Sequence, residues 1–329
     1  MTRHITSFAE LIAPLGAEEF LNDYHDRRWV HLEGAPERFA DLMSWADLNR
    51  LLDMRVWTGR TFQMALDRQR VPAEAYCDPG VDRSHQQGLL PNARKVQELL
   101  QRGASLVLNE VETLHPRIQD VVAFLEQTLG AKSSANIYVS WQAHQAFDAH
   151  YDRHDVFALH VHGEKTWNIY QGRAEHPIEH PAFHNIPQSE YDRMKRGIDQ
   201  QVTMRPGDLL YLPCGQFHDA LAQSGASIHV TFSCSEPNGL DWLNALWQQA
   251  VFDPAFRAYM PRARGAGGEV ELRAYIETLL NRLGGMALAP EALQRLQAMR
   301  QNFGMSQPRY DLPDRDRPAG RAKERDGRV

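Results

Sequence analysis

The segment HYDRHDVFALHVHGEKTW, from His150 to Trp167, sets four histidines and two aspartates in an otherwise strand-like run. Val156 to Leu159 suits a buried strand, and a buried strand does not take ionisable groups without partners for them. His150 and Asp152 are two residues apart, so in an extended chain they share a face and aim an imidazole and a carboxylate at one point. Two ligands of a metal need that arrangement. The facial set of non-haem Fe(II) centres, two histidines and one carboxylate with open positions opposite, then lacks only a second histidine. PGDLLYLP (Pro206 to Pro213) followed by Phe217-His218 supplies it: a turn, a strand, a proline stop, and a histidine at the start of the next strand. His229, in SIHVTF, is the rival, but it lacks this framing, so His218 is the expected third ligand.

The remaining histidines read differently. His160 and His162 alternate with Leu159 and Val161, which points to structural or pocket-lining roles, and His154 is a neighbour of the site. His176, His180 and His184 are spaced by four but sit among prolines, where a helical metal-binding face is not expected.

The elements that must position these groups change character along the chain. The N-terminal third reads as mixed α/β. Helices are expected over 17–24, after Ser44 (a capping box with Asp47), over 96–102 and over 116–129; strands are expected over 29–32 and 103–108. Residues 78–91, rich in Gly, Pro and Asp, read as a loop. From Ala135 to Ser235 short β-rich runs follow one another (ANIYVSW, VFALHVHG, KTWNIYQ, QQVTMRPGDLLYLP, ASIHVTFSCS). Turn signals separate them, which predicts an antiparallel jelly-roll barrel interrupted by a long insertion, 176–195. After Pro237 the pattern turns helical, over 240–252, 269–283 and 290–300. Ser306 onwards is polar and Pro/Gly-rich and reads as a disordered tail. The expected division is therefore 1–235, with a core barrel at about 135–235, then helices over 236–305, then the tail 306–329.

The bulk numbers exclude several classes. A chain of 329 residues, 43% hydrophobic and 24% charged, has the composition of a soluble globular protein. No apolar run approaches the roughly 20 residues of a membrane span, and the N-terminus does not read as a signal peptide. The three cysteines are far apart and odd in number, which argues against a zinc ribbon or a disulfide framework and for a reducing cytoplasm. A net charge of −6 offers no broad basic surface, so no direct nucleic-acid binding is expected.

Taken together, NIY (Asn136 to Tyr138), HYDRHDVF, GEKTW (Gly163 to Trp167), PGDLLYLP and His218 resemble the JmjC-type, cupin-related 2-oxoglutarate oxygenases. Within that family the likeness is to the ribosomal-oxygenase branch, which hydroxylates protein side chains. The resemblance spans roughly Ala17 to Ser235. It implies a double-stranded β-helix core, Fe(II) held by His150, Asp152 and His218, and O₂ and 2-oxoglutarate as cosubstrates. It also implies that Lys165 holds the distal carboxylate of 2-oxoglutarate, with Asn136 and Tyr138 supplying polar groups. A buried lysine needs an anion, and a dicarboxylate needs a fixed cation at its far end, so the chemistry agrees. The implied substrate is a protein or peptide side chain, for instance Arg or His of a ribosomal protein. A small molecule or peptide natural product is the alternative substrate, demethylation is available on the same iron chemistry, and a metal-free cupin-like binding protein is the rival from another class. The chain departs from the family at His160, where glutamine is common. It also has room after Pro237 only for a short helical region, so the winged-helix domain of better-known members is not expected. The stripe Leu272, Ile276, Leu279 and Leu283 either pairs two copies into a homodimer or packs on the barrel.

Overall fold

The computed structural model describes residues 4–305, apart from 55, 83, 142–146, 184–185, 223–224 and 266. The tail expected over 306–329, like His184, lies outside the described residues. The strands are β1 (Val30–Leu32), β2 (Phe62–Leu66), β3 (Gln69–Arg70), β4 (Cys77–Val81), β5 (Gln87–Pro91), β6 (Ser105–Leu108) and β7 (Lys132–Trp141). They continue with β8 (Asp155–His162), β9 (Lys165–Arg173), β10 (Ile198–Met204), β11 (Leu209–Leu212), β12 (Gln216–Ala222) and β13 (Ala226–Ser235). An eight-stranded sheet runs β1-β11-β8-β13-β7-β6-β2-β3, and a three-stranded sheet runs β10-β9-β12. Every pairing in the two is antiparallel. The large sheet faces the small one across a barrel interior and carries helices on its other face.

Period-two alternation builds this arrangement. On β13, Ile228, Val230 and Phe232 enter the core under the helices, while His229, Thr231 and Ser233 face the barrel cavity. On β7, Ala135, Ile137 and Val139 go to the same core, and Asn136 and Tyr138 go to the cavity. Burial of each large apolar side chain contributes roughly 1.5–3 kcal/mol. A one-residue slip would exchange these residues for the polar set, so register is firmly held. Helix Pro116–Leu129 covers the outer face with Ile118, Val121, Val122, Leu125 and Leu129. Ser44 caps helix Trp45–Leu52 in a reciprocal box with Asp47.

The turn before β11 explains the PGD text. Gly207 has φ +94°, and a Cβ there would lie 2.0 Å from the Ala35 carbonyl oxygen. Asp208 accepts from the Arg205 and Gly34 amides at 2.9 and 3.1 Å, and its Oδ2 lies 3.2 Å from His31 Nε2. The motif thus ties the N-terminal segment to the barrel.

Three expectations need correction. Residues 78–91 form a hairpin of β4 and β5, closed where Asp82 Oδ1 accepts from the Ser84 and Gln86 amides. Only Cys77 of the pair is fully buried, and Gly, Pro and Asp dominate residues 78–80, so the sequence carries no apolar strand signal. The insertion contains a helix, Gln188–Lys195, with no fully buried residue, hence no apolar stripe in the sequence. The 17–24 helix splits into a short α turn, Ala17–Glu19, and a π turn, Phe20–Tyr24. After the barrel come helices Gly239–Ala250, Gly268–Ala287 and Pro290–Gln301.

Candidate active site

His150 lies just before β8, outside any regular strand, and is held by a single bridge to His218 on β12. The two residues exchange both backbone hydrogen bonds, His150 N to His218 O at 2.9 Å and His218 N to His150 O at 2.8 Å. In such a pair both side chains leave on the same side, and the rings sit 4.5 Å apart. Asp152 follows two residues on, with Oδ2 3.6 Å from His218 Nε2. One ligand atom from each of His150, Asp152 and His218 falls within 4.8 Å of the others.

The protonation pattern suits a cation. His150 Nδ1 lies 2.8 Å from the Asp148 carbonyl oxygen, and His218 Nδ1 lies 3.0 Å from that of Gln216. A carbonyl can only accept, so each Nδ1 carries the hydrogen, which leaves Nε2 as the ring atom able to ligate a metal. Burial, then the neighbouring His150, brings His218 down to about 4, so it is neutral at physiological pH. Burial opposes ionisation of Asp152, but His154, His150 and His218 outweigh it and hold the carboxyl below its ordinary value. Trp167 stacks on His218 with centroids 5.6 Å apart, restricting the ring.

These groups open on a cavity of about 390 Å³ between the sheets, within the usual range for small-ligand sites. Lys165 lines it from β9 and is 4% exposed. Its Nζ contacts Ser140 Oγ at 3.4 Å and makes no ion pair among the described residues; burial lowers it to about 8. Asn136 and Tyr138 line the same cavity from β7. Burial, then the charge of Asp152, raises Tyr138 to about 12. All six residues singled out in the sequence therefore border one cavity.

His229 also lines the cavity, stacked on Tyr138 at 4.8 Å with ring planes 5° apart, but stands outside the three-residue group. His160 is fully buried behind it, with Nε2 3.0 Å from the Gly163 carbonyl oxygen, whereas His162 is exposed against Trp45. His176 and His180 are exposed. Thr231, Ser233 and Ser140 were not singled out in the sequence. The period-two polar positions of SIHVTFS would have found the first two, whereas the approach of Ser140 to Lys165 is set by tertiary packing.

A second cluster forms at the opposite side of β8. His25 Nε2 lies 2.7 Å from Glu236 Oε1 and 3.3 Å from Asp155 Oδ2. It borders a larger cleft of about 1130 Å³.

Residues 107–242 match the JmjC domain family, and the two facing antiparallel sheets with their two-histidine, one-carboxylate corner agree with that match. More particularly, the chain is similar in sequence to ribosomal oxygenases. Ribosomal oxygenase 1 of Rattus norvegicus is 30% identical over 264 residues, which are 78% of this chain and 42% of that protein. Ribosomal oxygenase 2 of Bos taurus is 25% identical over 327 residues, 94% of this chain and 66% of that protein. The chain thus spans about two-fifths of the length of the rat relative. Among solved structures, the fold matches Escherichia coli YcfD, a ribosomal oxygenase seen with cobalt and 2-oxoglutarate. The TM-score is 0.55 at 17% identity, covering 91% of this chain and 73% of that one.

Proposed function

We propose that this chain is an Fe(II)- and 2-oxoglutarate-dependent oxygenase that hydroxylates a side chain of a ribosomal protein. His150, Asp152 and His218 would hold the metal, and Lys165, Asn136 and Tyr138 the cosubstrate. The observation that carries the reading is Lys165, a buried ammonium with no carboxylate partner among the described residues, in the same cavity as the His-Asp-His corner. A buried cation left so is costly, and a bound carboxylate removes the cost. Fe(II) held by His150, Asp152 and His218 would supply oxidative hydroxylation, with 2-oxoglutarate and O₂ as cosubstrates. The chain contributes position: fixed Nε2 lone pairs, an ionised Asp152, a cation at the far end of the cosubstrate, and sheet walls that limit water. The likeness to ribosomal oxygenases supports a ribosomal protein as the substrate.

Anaerobic titration with Fe(II) and 2-oxoglutarate tests the reading. The expected result is a weak visible charge-transfer band that His150→Ala abolishes; a wild-type protein without the band sinks the proposal. Mass spectrometry of ribosomal proteins from cells with and without the enzyme then seeks a gain of one oxygen atom.

Three further assignments belong to the proposal. The working unit is 1–235, followed by a helical region over 236–305. The helical region pairs two copies through Ile276 of the stripe and its neighbour Leu280, 51% and 60% exposed, while Leu272, Leu279 and Leu283 are half-buried. Sedimentation analysis is expected to show a dimer that Ile276→Glu with Leu280→Glu dissociates. A reducing compartment such as the cytoplasm fits three free cysteines, Cys77, Cys214 and Cys234. No helix among the described residues is long and apolar enough to cross a membrane.

A further inference from the structure

The residues between and beside the ligands form a cluster of their own. His150 and Asp152 face the cavity, which turns Tyr151 outward; His218 faces it, which turns Phe217 outward. The two outward rings meet edge to face, 5.0 Å apart. A third ring closes on them from the insertion: Tyr191, on helix Gln188–Lys195, lies 4.9 Å from Phe217 at 83° and 6.1 Å from Tyr151 at 22°. Its hydroxyl donates to the Ala149 carbonyl oxygen at 2.5 Å, one residue before His150. Tyr191 therefore touches both ligand-bearing segments, one through its ring and the other through its hydroxyl.

The insertion is built to bring it there. At Gly172 of β9 a Cβ would lie 1.7 Å from the Met194 carbonyl oxygen, so the end of the helix sits flush on the strand only because that residue is glycine. Lys195 Nζ lies 5.3 Å from the Tyr170 ring centre. The segment under the clamp needs support. Residues 147–154 belong to no regular strand; besides the paired bonds of His150 with His218, the segment is tied by the Gly215 amide, which donates to the Asp152 carbonyl oxygen at 2.8 Å.

We propose that Tyr191 is a positioning residue for the metal centre, with the insertion helix clamping the His150–Asp152 segment onto Phe217 and thereby fixing the spacing of the three ligand atoms. The inference rests on the ligand assignment proposed above. Groups that orient metal ligands typically alter affinity by 10–100-fold when removed.

The test measures Co(II) binding to the full-length apoprotein by anaerobic calorimetry, together with the visible spectrum of the Co(II) protein. Tyr191→Ala is expected to weaken binding about 10-fold and to change the spectrum. Tyr191→Phe, which keeps the ring and removes the hydroxyl, is expected to fall between Tyr191→Ala and wild type. Leu125→Ala, beneath the outer face of the large sheet, serves as a variant destabilised without contact to the clamp, and is expected to bind Co(II) as wild type does. Wild-type affinity and spectrum in Tyr191→Ala would overturn the inference alone, as would an equal loss in Leu125→Ala. A wild-type protein that binds no Co(II) would remove the ligand assignment itself.

Discussion

Two clusters in this chain hold histidine and carboxylate at similar spacing, and they end in opposite charge states. At His150, Asp152 and His218, ligand atoms gather within 4.8 Å, and so do those of His25, Asp155 and Glu236. In the first, carbonyls take the Nδ1 hydrogens and burial keeps His218 neutral, so its Nε2 lone pair faces the cavity. In the second, burial alone would lower His25, but Asp155 and Glu236 overcome it and raise the imidazole to about 9. The carboxylates there are also spent. Asp155 accepts from the Cys214 amide at 2.7 Å and the Tyr211 hydroxyl at 3.1 Å, and Arg300 lies 2.7 Å from Glu236. The same residue types thus make the proposed ligand set or an ion-pair knot. What decides is whether the histidine is neutral and whether the carboxylate already has donors.

The sharpest break between the two clusters is metal affinity. Asp152→Ala is expected to weaken Co(II) binding by at least 100-fold, since it removes the one charged ligand, while Glu236→Ala leaves binding unchanged. Calorimetry on both variants decides it. Loss of binding in Glu236→Ala with retention in Asp152→Ala would reverse the assignment.

A smaller effect is expected at Lys165. Removing a charge-assisted hydrogen bond costs about 1.5–3 kcal/mol, which is roughly a 10- to 150-fold rise in the 2-oxoglutarate Kd for Lys165→Ala. Co(II) affinity should hold within a few-fold, because Lys165 contacts Ser140 and not the ligand corner. A parallel loss of metal affinity would mean that Lys165 supports the metal corner rather than the cosubstrate.

What could be read from sequence follows the range of the interactions. The His150–Asp152 pair, the strand alternation of β7 and β13, and helix Pro116–Leu129 are local patterns of period two or 3.6, and each is visible in a short window. His218 was reachable because Gly207 and Asp208 announce a turn and Pro213 a stop. That His150 and His218 exchange backbone hydrogen bonds could not be read, because register between distant segments is set by the packed sheets. The clamp at Tyr191 joins three separate segments through a polar helix, and the knot at His25 joins three more. Neither leaves a periodic trace. The hairpin of β4 and β5 escaped for the opposite reason: it is local, but only Cys77 in it is fully buried, and its Gly- and Pro-containing residues lack the apolar alternation of a core strand.

The knot makes the smallest prediction, and its sign distinguishes it from the ligand corner. His25 binds its proton more tightly in the folded chain, with its value raised from 6.5 to about 9. The stabilisation is therefore fully present below about pH 6.5 and is lost as pH rises towards about 9. The shift corresponds to at most roughly 3 kcal/mol, or several degrees in Tm for a chain of this size. Lys165 works in the reverse direction: its lowered value penalises folding at neutral pH, and the penalty eases as pH rises past about 8. The informative quantity is thus the difference in Tm between wild type and His25→Gln, which cancels the contribution of Lys165. That difference is expected to favour wild type at pH 6 and to shrink by pH 9.5. A constant difference across that interval would mean that His25 is held neutral, and the contrast between the two clusters would then rest on the spent carboxylates alone.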